Sequence, residues 1–265
     1  MPAPIKLVAK RALGALYSLR PRPPQRRIVL LYHALGDGPL ALDQASFQRQ
    51  MRWLSSAAEI MPLADMLAGG GTRPLQAAIT FDDGYASLHS VALPVLQGIG
   101  ATATAFLNTG WIGTEARRAS DPARGHYPQE QFLLWREVAE LAAAGWAIAS
   151  HGADHLDLTI QPDDIVRQQL RASRAHIETV LGACAPVFSY TWGRHTPRLR
   201  RLVAEAGHTH GLAAVHGALG RKSDRMALPR INIAADYSLD DFKAVVRGDW
   251  DYLGWLQSAR MTAVM

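Results

Sequence analysis

The chain has 265 residues, 48% of them hydrophobic, and a net charge of +5, which is enough for a large buried core in one α/β domain or two small ones. Its one cysteine, Cys184, excludes an intrachain disulfide framework and fits a reducing compartment, and no stretch approaches the roughly 18 apolar residues of a membrane span. Residues 1–27 hold seven Lys and Arg and no acid, leaving 21 basic against 23 acidic residues in the rest, a body without the basic excess of a nucleic-acid binder.

In residues 5–20, Ile5, Val8, Ala12, Leu16 and Leu19 recur at helical spacing among Lys6, Lys10 and Arg11. Such a helix can pack on the domain's own surface, lie in a membrane interface or act in targeting. Lys10 and Arg11 interrupt the apolar run and no small-residue cleavage site follows, which disfavours export. Arg20-Pro-Arg-Pro-Pro24 ends the helix, because proline removes a donor and restricts the residue before it. The expected division is a basic amphipathic segment with a Pro-rich link over 1–26, one barrel over 27–247 and a tail over 248–265.

Beyond the link, strands and helices alternate. Residues 27–33 read as a buried strand ending in His33, and 46–58 as a helix capped by Ser46 with Phe47, Met51 and Leu54 on one face. Strand 77–81 and a helix over 86–98 follow, despite Pro94. Strand 101–107 leads to an irregular Gly-, Arg- and Pro-rich stretch through residue 128, long enough to be an active-site loop. A helix at 130–144 and strand 146–150 precede the clearest helix, 162–181, whose inner stripe is Val166, Leu170, Ser173, Ile177 and Val180. Strand 186–190, helix 197–206, strands 209–215 and 228–233 and helix 238–247 complete the alternation.

About seven β–α units with no Gly-x-Gly-x-x-Gly in the first suggest a closed or nearly closed parallel barrel. Chemistry-bearing residues follow the strands: His33, Asp82, Asp83, Asn108, His151 and Tyr190 to Trp192. Barrel enzymes place their active sites at that end.

Thr80-Phe-Asp-Asp-Gly-Tyr85 puts two adjacent carboxylates where a strand ends. Successive strand side chains point to opposite sides, so the pair is suited to two different jobs, one on a metal and one on a proton. Ser150-His-Gly-Ala-Asp-His155 supplies two imidazoles at His-x-x-x-His spacing. With one carboxylate they make a two-His, one-Asp set that leaves positions open for water and substrate.

These motifs resemble those of the polysaccharide deacetylases, the NodB-type carbohydrate esterases. The resemblance implies a distorted (β/α)7 barrel, with Asp82 as catalytic base and Asp83, His151 and His155 as ligands of a divalent metal, zinc being the expected ion. A third signature is similar to Phe188-Ser-Tyr-Thr-Trp-Gly193, implying that Tyr190 and Trp192 wall the acetyl pocket and that a backbone N–H holds the oxyanion. Thr191 stands where proline is usual in the family, and Gly152 where Ser or Thr often follows the first histidine.

Tyr32-His33 resembles the circularly permuted branch that deacetylates exopolysaccharides, making His33 the expected general acid. Leu228-Pro-Arg-Ile231 resembles an element of the same branch, implying Arg230 at the site, on substrate or beside Asp82 where it would keep that carboxylate ionised, with an ordinary surface salt bridge as the alternative. The implied substrate is an N-acetylated glycan or glycolipid, with hydrolysis of another C–N bond such as a formamide, or carbohydrate binding without catalysis, as the alternatives. Asn108, His126, Arg194 and His195 have no specific pairing and receive no role. Trp250, Tyr252 and Trp255 suit either sugar stacking or packing of the tail. The expected location is the cytoplasm or the cytoplasmic face of the membrane.

Overall fold

In the computed structural model, the backbone is described for residues 3–263 and side chains for residues 7–257, so Ile5 and Lys6 lie outside the described side chains. The strands are β1 Arg26–Tyr32, β2 Glu59–Ile60, β3 Leu75–Phe81, β4 Thr104–Leu107, β5 Ala147–Ser150, β6 Val187–Ser189, β7 His210–Leu212 and β8 Ile231–Asn232. Seven of them form one parallel path in the order β7-β6-β5-β4-β3-β1-β8, while β2 pairs with β3 beside that path. Parallel neighbours need crossover connections, and the helices α2 Gln44–Ala57, α3 Leu63–Leu67, α4 Leu93–Gln97, α5 Trp135–Ala143, α6 Asp163–Leu181, α7 Pro197–Glu205 and α8 Leu239–Arg247 lie between or after the strands.

The path curls until its two ends nearly meet. Leu212 and Leu228 form a parallel bridge, Ala213 N–H donates to Leu228 O at 2.9 Å, and Arg230 N–H donates to Val215 O at 2.9 Å. The segment before β8 thus straps the gap, giving a distorted (β/α)7 barrel. Strand alternation sorts its two faces. Val29, Ala78, Phe106, Ala149, Val187, Leu212 and Leu228 fill the interior, while Ile28, Leu30, Ala77, Ile79, Ala105 and Ile148 pack outward beneath the helices. Phe106 is the largest of the inner set and lies 5.7 Å beneath the Arg230 guanidinium. Truncating a ring so placed costs about 3–5 kcal/mol.

Several elements depart from the sequence expectation. Helix α2 begins earlier, because Asp43 and not Ser46 is its cap: the Asp43 carboxylate accepts the Ser46 N–H at 2.8 Å. The expected helix over 86–98 is a π-helical turn at Leu88–Ala92 followed by α4, which places Pro94 in the first turn, where its missing N–H costs nothing. Residues 130–134 are bridges to Tyr85, Gly113 and Ala119, so the next helix, α5, starts only at Trp135. On α6, Gln169 is buried and Val180 is exposed, reversing one position of the expected stripe.

Two helices lie outside the barrel proper. Helix α1 spans Ala3–Tyr17 and α9 spans Tyr252–Ala263. Arg11 joins α1 to α8 through Asp241, and the Tyr252 hydroxyl donates to Lys10 O at 3.0 Å.

Candidate active site

Inward parity continues past the ends of the strands. From Ala78 and Thr80 it reaches Asp82, from Ala149 it reaches His151, and from Val187 it reaches Ser189. Asp83 would face outward on an unbroken strand. Instead its backbone is left-handed, with φ +73°, a conformation that aspartate tolerates better than most residues. That turn returns its carboxylate to the same cavity as Asp82. His155 and Trp192 also have positive φ, at 53° and 51°, so among the described residues three of the four non-glycine positions of this kind line the site. The cavity is about 200 Å³ and is lined by His33, Asp82, Asp83, Tyr127, His151, His155, Trp192 and Arg230, with Leu31, Gly125, Gly193, Ala214 and Asn232.

Ligand-type atoms of Asp83, His151 and His155 lie within 4.8 Å of one another, and all three residues are buried. Asp83 Oδ1 is 3.5 Å from Nε2 of each histidine. This is long for a hydrogen bond, but two ligands about 2.1 Å from a shared tetrahedral ion are roughly 3.4 Å apart. The other ring nitrogens are engaged: Nδ1–H of His151 donates to Ser189 O at 2.8 Å, and Nδ1–H of His155 to Arg124 O at 2.6 Å. A carbonyl can only accept, so Nδ1 carries a proton, and in the neutral ring Nε2 is left with the lone pair that a cation needs. Burial also lowers the His151 pKa, outweighing the neighbouring aspartates and favouring the neutral form. The donor set fits a divalent metal. Asn108 Nδ2 donates to Asp83 Oδ1 at 3.2 Å and helps hold that carboxylate in place.

Where Gly152 replaces a hydroxyl residue, its backbone is left-handed at φ +83° and its N–H donates to Ser150 Oγ at 3.1 Å. The ligand loop takes further support from Gln169 on α6. Its Oε1 accepts the N–H groups of Ala153 and Asp154 at 3.1 and 2.9 Å, and its Nε2 donates to Asp154 Oδ2 at 2.6 Å. Thr191, at the usual proline position, donates from Oγ1 to Leu156 O at 2.6 Å. That bond ties the Trp192 loop to the chain just past His155.

Asp82 faces the cavity with a different set of partners. Arg230 Nη1 and Nη2 donate to its Oδ1 and Oδ2 at 2.8 and 2.7 Å, and Ser189 Oγ donates to Oδ2 at 2.9 Å. Burial alone would raise the Asp82 pKa. Arg230, His151 and His33 outweigh it and hold the carboxyl well below the usual range. Arg230 is fully buried with its head on the Asp82 carboxylate, which excludes the surface salt bridge.

His33 lines the cavity with its ring stacked on Tyr127, centroids 5.1 Å apart, and its Nδ1 is buried without a partner among the described residues. Tyr127 belongs to the long irregular segment, which folds over the site and is pinned where Tyr127 N–H donates to the Tyr85 hydroxyl at 2.7 Å. Trp192 lies against His155, ring centroids 4.5 Å apart, and against Gly125, where a Cβ would come within 2.6 Å of the indole. Tyr190 is a correction to the sequence reading. It is fully buried away from the cavity, packed on Phe188 and donating its hydroxyl to Met226 O at 2.8 Å, so it supports the loop from behind.

Ser189 had no signal beyond its inward parity in β6. Asn108 was visible as a polar residue after a strand, without a partner to give it a role. His126 packs with its ring centroid 5.0 Å from that of His155, and burial pushes its pKa down to about 4, so it is a neutral ring behind a ligand histidine. Arg194 pairs with Asp157 on the surface, and His195 packs on Tyr190.

Residues 69–211 match the family model described as polysaccharide deacetylase. The chain belongs to the polysaccharide deacetylase family. It is a hydrolase of the class that acts on N-acetyl amide bonds. The match contains Asp82, Asp83, His151 and His155, whereas His33 and Arg230 lie outside it.

Among relatives of this deacetylase, the Bacillus subtilis (strain 168) protein YxkH, named for the same family, is 25% identical over 234 residues, covering 86% of this chain and 78% of that one. The poly-β-1,6-N-acetyl-D-glucosamine N-deacetylase of Staphylococcus aureus (strain MRSA252) is 22% identical, covering 74% of this chain and 69% of its own. The solved structure of IcaB from Ammonifex degensii superposes with a TM-score of 0.72 at 20% identity, covering 85% of this chain and 97% of that one, and shares the fold.

Proposed function

We propose that this deacetylase is metal-dependent and removes N-acetyl groups from amino sugars of a polysaccharide, oligosaccharide or lipid-linked glycan. One observation carries the reading: a two-His, one-Asp ligand set and a separately held carboxylate open onto the same cavity. The S. aureus relative, named for a poly-N-acetylglucosamine substrate, supports the substrate class.

Asp83, His151 and His155 hold the cation. A divalent ion bound there, zinc being the expected one, supplies Lewis acidity, which polarises an amide carbonyl and makes a water molecule more acidic. Asp82 accepts that water's proton. Its low pKa keeps it ionised at ordinary pH, and Arg230 with Ser189 fixes the carboxylate plane, so the base is positioned before substrate arrives. A backbone N–H near Trp192 stabilises charge on the carbonyl oxygen. His33, held on the face of Tyr127, gives a proton to the departing nitrogen. Trp192 and Tyr127 line the cavity and confine the acyl group.

The test is acyl release by the purified, zinc-loaded chain from β-1,6- and β-1,4-linked N-acetylglucosamine oligomers, with acetate and formate measured separately. Acetate release is expected. Failure to release any acyl group from N-acylated glycans or glycolipids would sink the proposal, and formate release from an N-formyl sugar alone would reassign the acyl group.

A further inference from the structure

The apolar stripe of α1 exists, but it faces away from the protein. The helix docks through Leu7, Lys10, Gly14, Tyr17 and Ser18, the partly or fully buried positions. Gly14 sits so close to Trp250 that a Cβ would fall 2.4 Å from the indole nitrogen. Lys10 points its ammonium at the rings of Tyr237 and Trp250, 5.5 and 5.9 Å from their centroids. With Lys10 turned inward and Arg11 reaching sideways to Asp241, Val8, Leu16 and Leu19 on the opposite side are 62, 68 and 82% exposed.

Helix α9 extends this surface. Gly254 is buried against His216 O, and Trp255 beside it is 73% exposed. Leu13, Leu16, Tyr17 and Arg20 of the first segment meet Tyr252, Trp255 and Leu256 of the second around one open groove. Tyr17 and Tyr252 touch, with centroids 5.8 Å apart, and the Arg20 guanidinium lies 4.5 Å over the Tyr17 ring. Burying such a face elsewhere is favourable in proportion to its apolar area, and contiguous exposed patches of this kind mark interaction sites.

Charge indicates what covers it. Residues 1–24 contain Lys6, Lys10, Arg11, Arg20 and Arg22 and no acid, and residues 252–265 contain Arg260 and no acid. Asp241 and Asp249 of the body neutralise Arg11 and Arg22, which leaves the rest of the two-helix layer positive. An aromatic and aliphatic groove whose charged lining residue is Arg20, on two segments that themselves carry cations and no acid, complements the headgroup region of an anionic bilayer, where Trp and Tyr sit at the interface and Lys and Arg meet lipid phosphates. No helix among the described residues is long and apolar enough to cross a membrane, so the contact is parallel to the surface. We propose that α1 and α9 together form a docking surface for an anionic lipid bilayer, with Val8, Leu16, Leu19 and Trp255 entering the interface.

The experiment is flotation of the full chain with vesicles of phosphatidylcholine alone or mixed with phosphatidylglycerol, at low and high salt. Wild type should float with the anionic vesicles and be largely released by salt. Leu16→Ser and Leu19→Ser should each lower partitioning about tenfold or more, and Arg20→Gln about fivefold. These side chains are exposed, so the circular dichroism spectrum and Tm should stay at wild-type values, which separates lost docking from lost folding. Quenching of tryptophan fluorescence by brominated lipid should occur in wild type and fall in Trp255→Ser. Absence of wild-type flotation with anionic vesicles overturns the proposal, as does flotation that the leucine variants leave unchanged. Light scattering that finds a dimer abolished by the same variants would assign the face to a second copy and overturn it equally.

Discussion

Arg230 closes edge to edge on Asp82, one Nη on each carboxylate oxygen, with neither residue more than 3% exposed. The two residues are 148 positions apart in the chain. A guanidinium fork matches a carboxylate in this way, whereas an ammonium cannot make both bonds at once. Arg230→Lys should therefore retain the metal but lose about 10–100-fold in kcat/KM, because the carboxylate loses its fixed plane. Arg230→Ala should also lower stability by about 3–5 kcal/mol, since it leaves a buried carboxylate without its partner. Steady-state kinetics and chemical denaturation measure the two effects, and full activity in Arg230→Lys would contradict the positioning role.

Removing the cation should separate the two aspartates. Dialysis against a chelator is expected to abolish turnover, and zinc to restore it. Asp83→Asn, His151→Ala and His155→Ala should each lose bound metal as measured by elemental analysis. Asp82→Asn should keep the metal and lose about 10²–10⁴-fold in kcat. Equal metal loss in both aspartate variants would refute the division of labour.

His33→Gln tests the proton donor. The glutamine preserves size and polarity but cannot give up a proton at the same site, so kcat should fall about 10²–10⁴-fold with metal content and KM little changed. Activity within a factor of about three of wild type, far short of that loss, would transfer the role elsewhere.

Gln169 braces the loop that carries both histidines without touching the cavity. Gln169→Ala should weaken zinc affinity about 10–100-fold, the usual effect of removing support from metal ligands. Saturating zinc should restore most of kcat. A competition titration with a chromogenic chelator reads the affinity, and an unchanged value would show that the loop holds itself.

Acid should remove one specific piece of stability. Burial acts to raise the Asp241 pKa, but hydrogen bonds from Arg11 and Ser238 outweigh it and lower the value. A lowered folded pKa stabilises the fold above the unfolded value of about 3.9, and the contribution disappears as pH falls below it. Asp241 closes the capping box of α8, so Asp241→Asn should cost about 1 kcal/mol at neutral pH. The Tm difference from wild type should be full at neutral pH and shrink as the pH falls below the unfolded value of about 3.9. A difference independent of pH would show that the charge of Asp241 is not what matters.

Legibility in the sequence follows the range of the interactions. The β–α alternation, the placing of Asp82 and Asp83 at a strand end and the spacing of His151 and His155 are each encoded within a few residues, and all could be read directly. Asp43 was missed as the cap of α2 because Ser46, three residues on, carries an equally suitable side chain. The two-residue strand β2 had no periodicity to detect. Ser189 and Asn108 acquire meaning only from partners that other strands bring to them.

The Asp82–Asp83 pair shows the same boundary. Alternation suggests two different tasks for adjacent aspartates at a strand end, but it would send them to opposite sides, whereas both carboxylates line one cavity. Which carboxylate meets the histidines and which meets Arg230 depends on the left-handed turn at Asp83 and on the strap that brings residues 228–230 across the barrel. Helix α1 makes the point on the surface: its periodicity determined that an apolar stripe exists. Only the tertiary structure decided that the stripe faces outward, because the close fit of Gly14 against Trp250 and the pairing of Arg11 with Asp241 fix the helix by its other side. A period specifies a face relative to the helix axis, and only contacts with the rest of the fold can orient it.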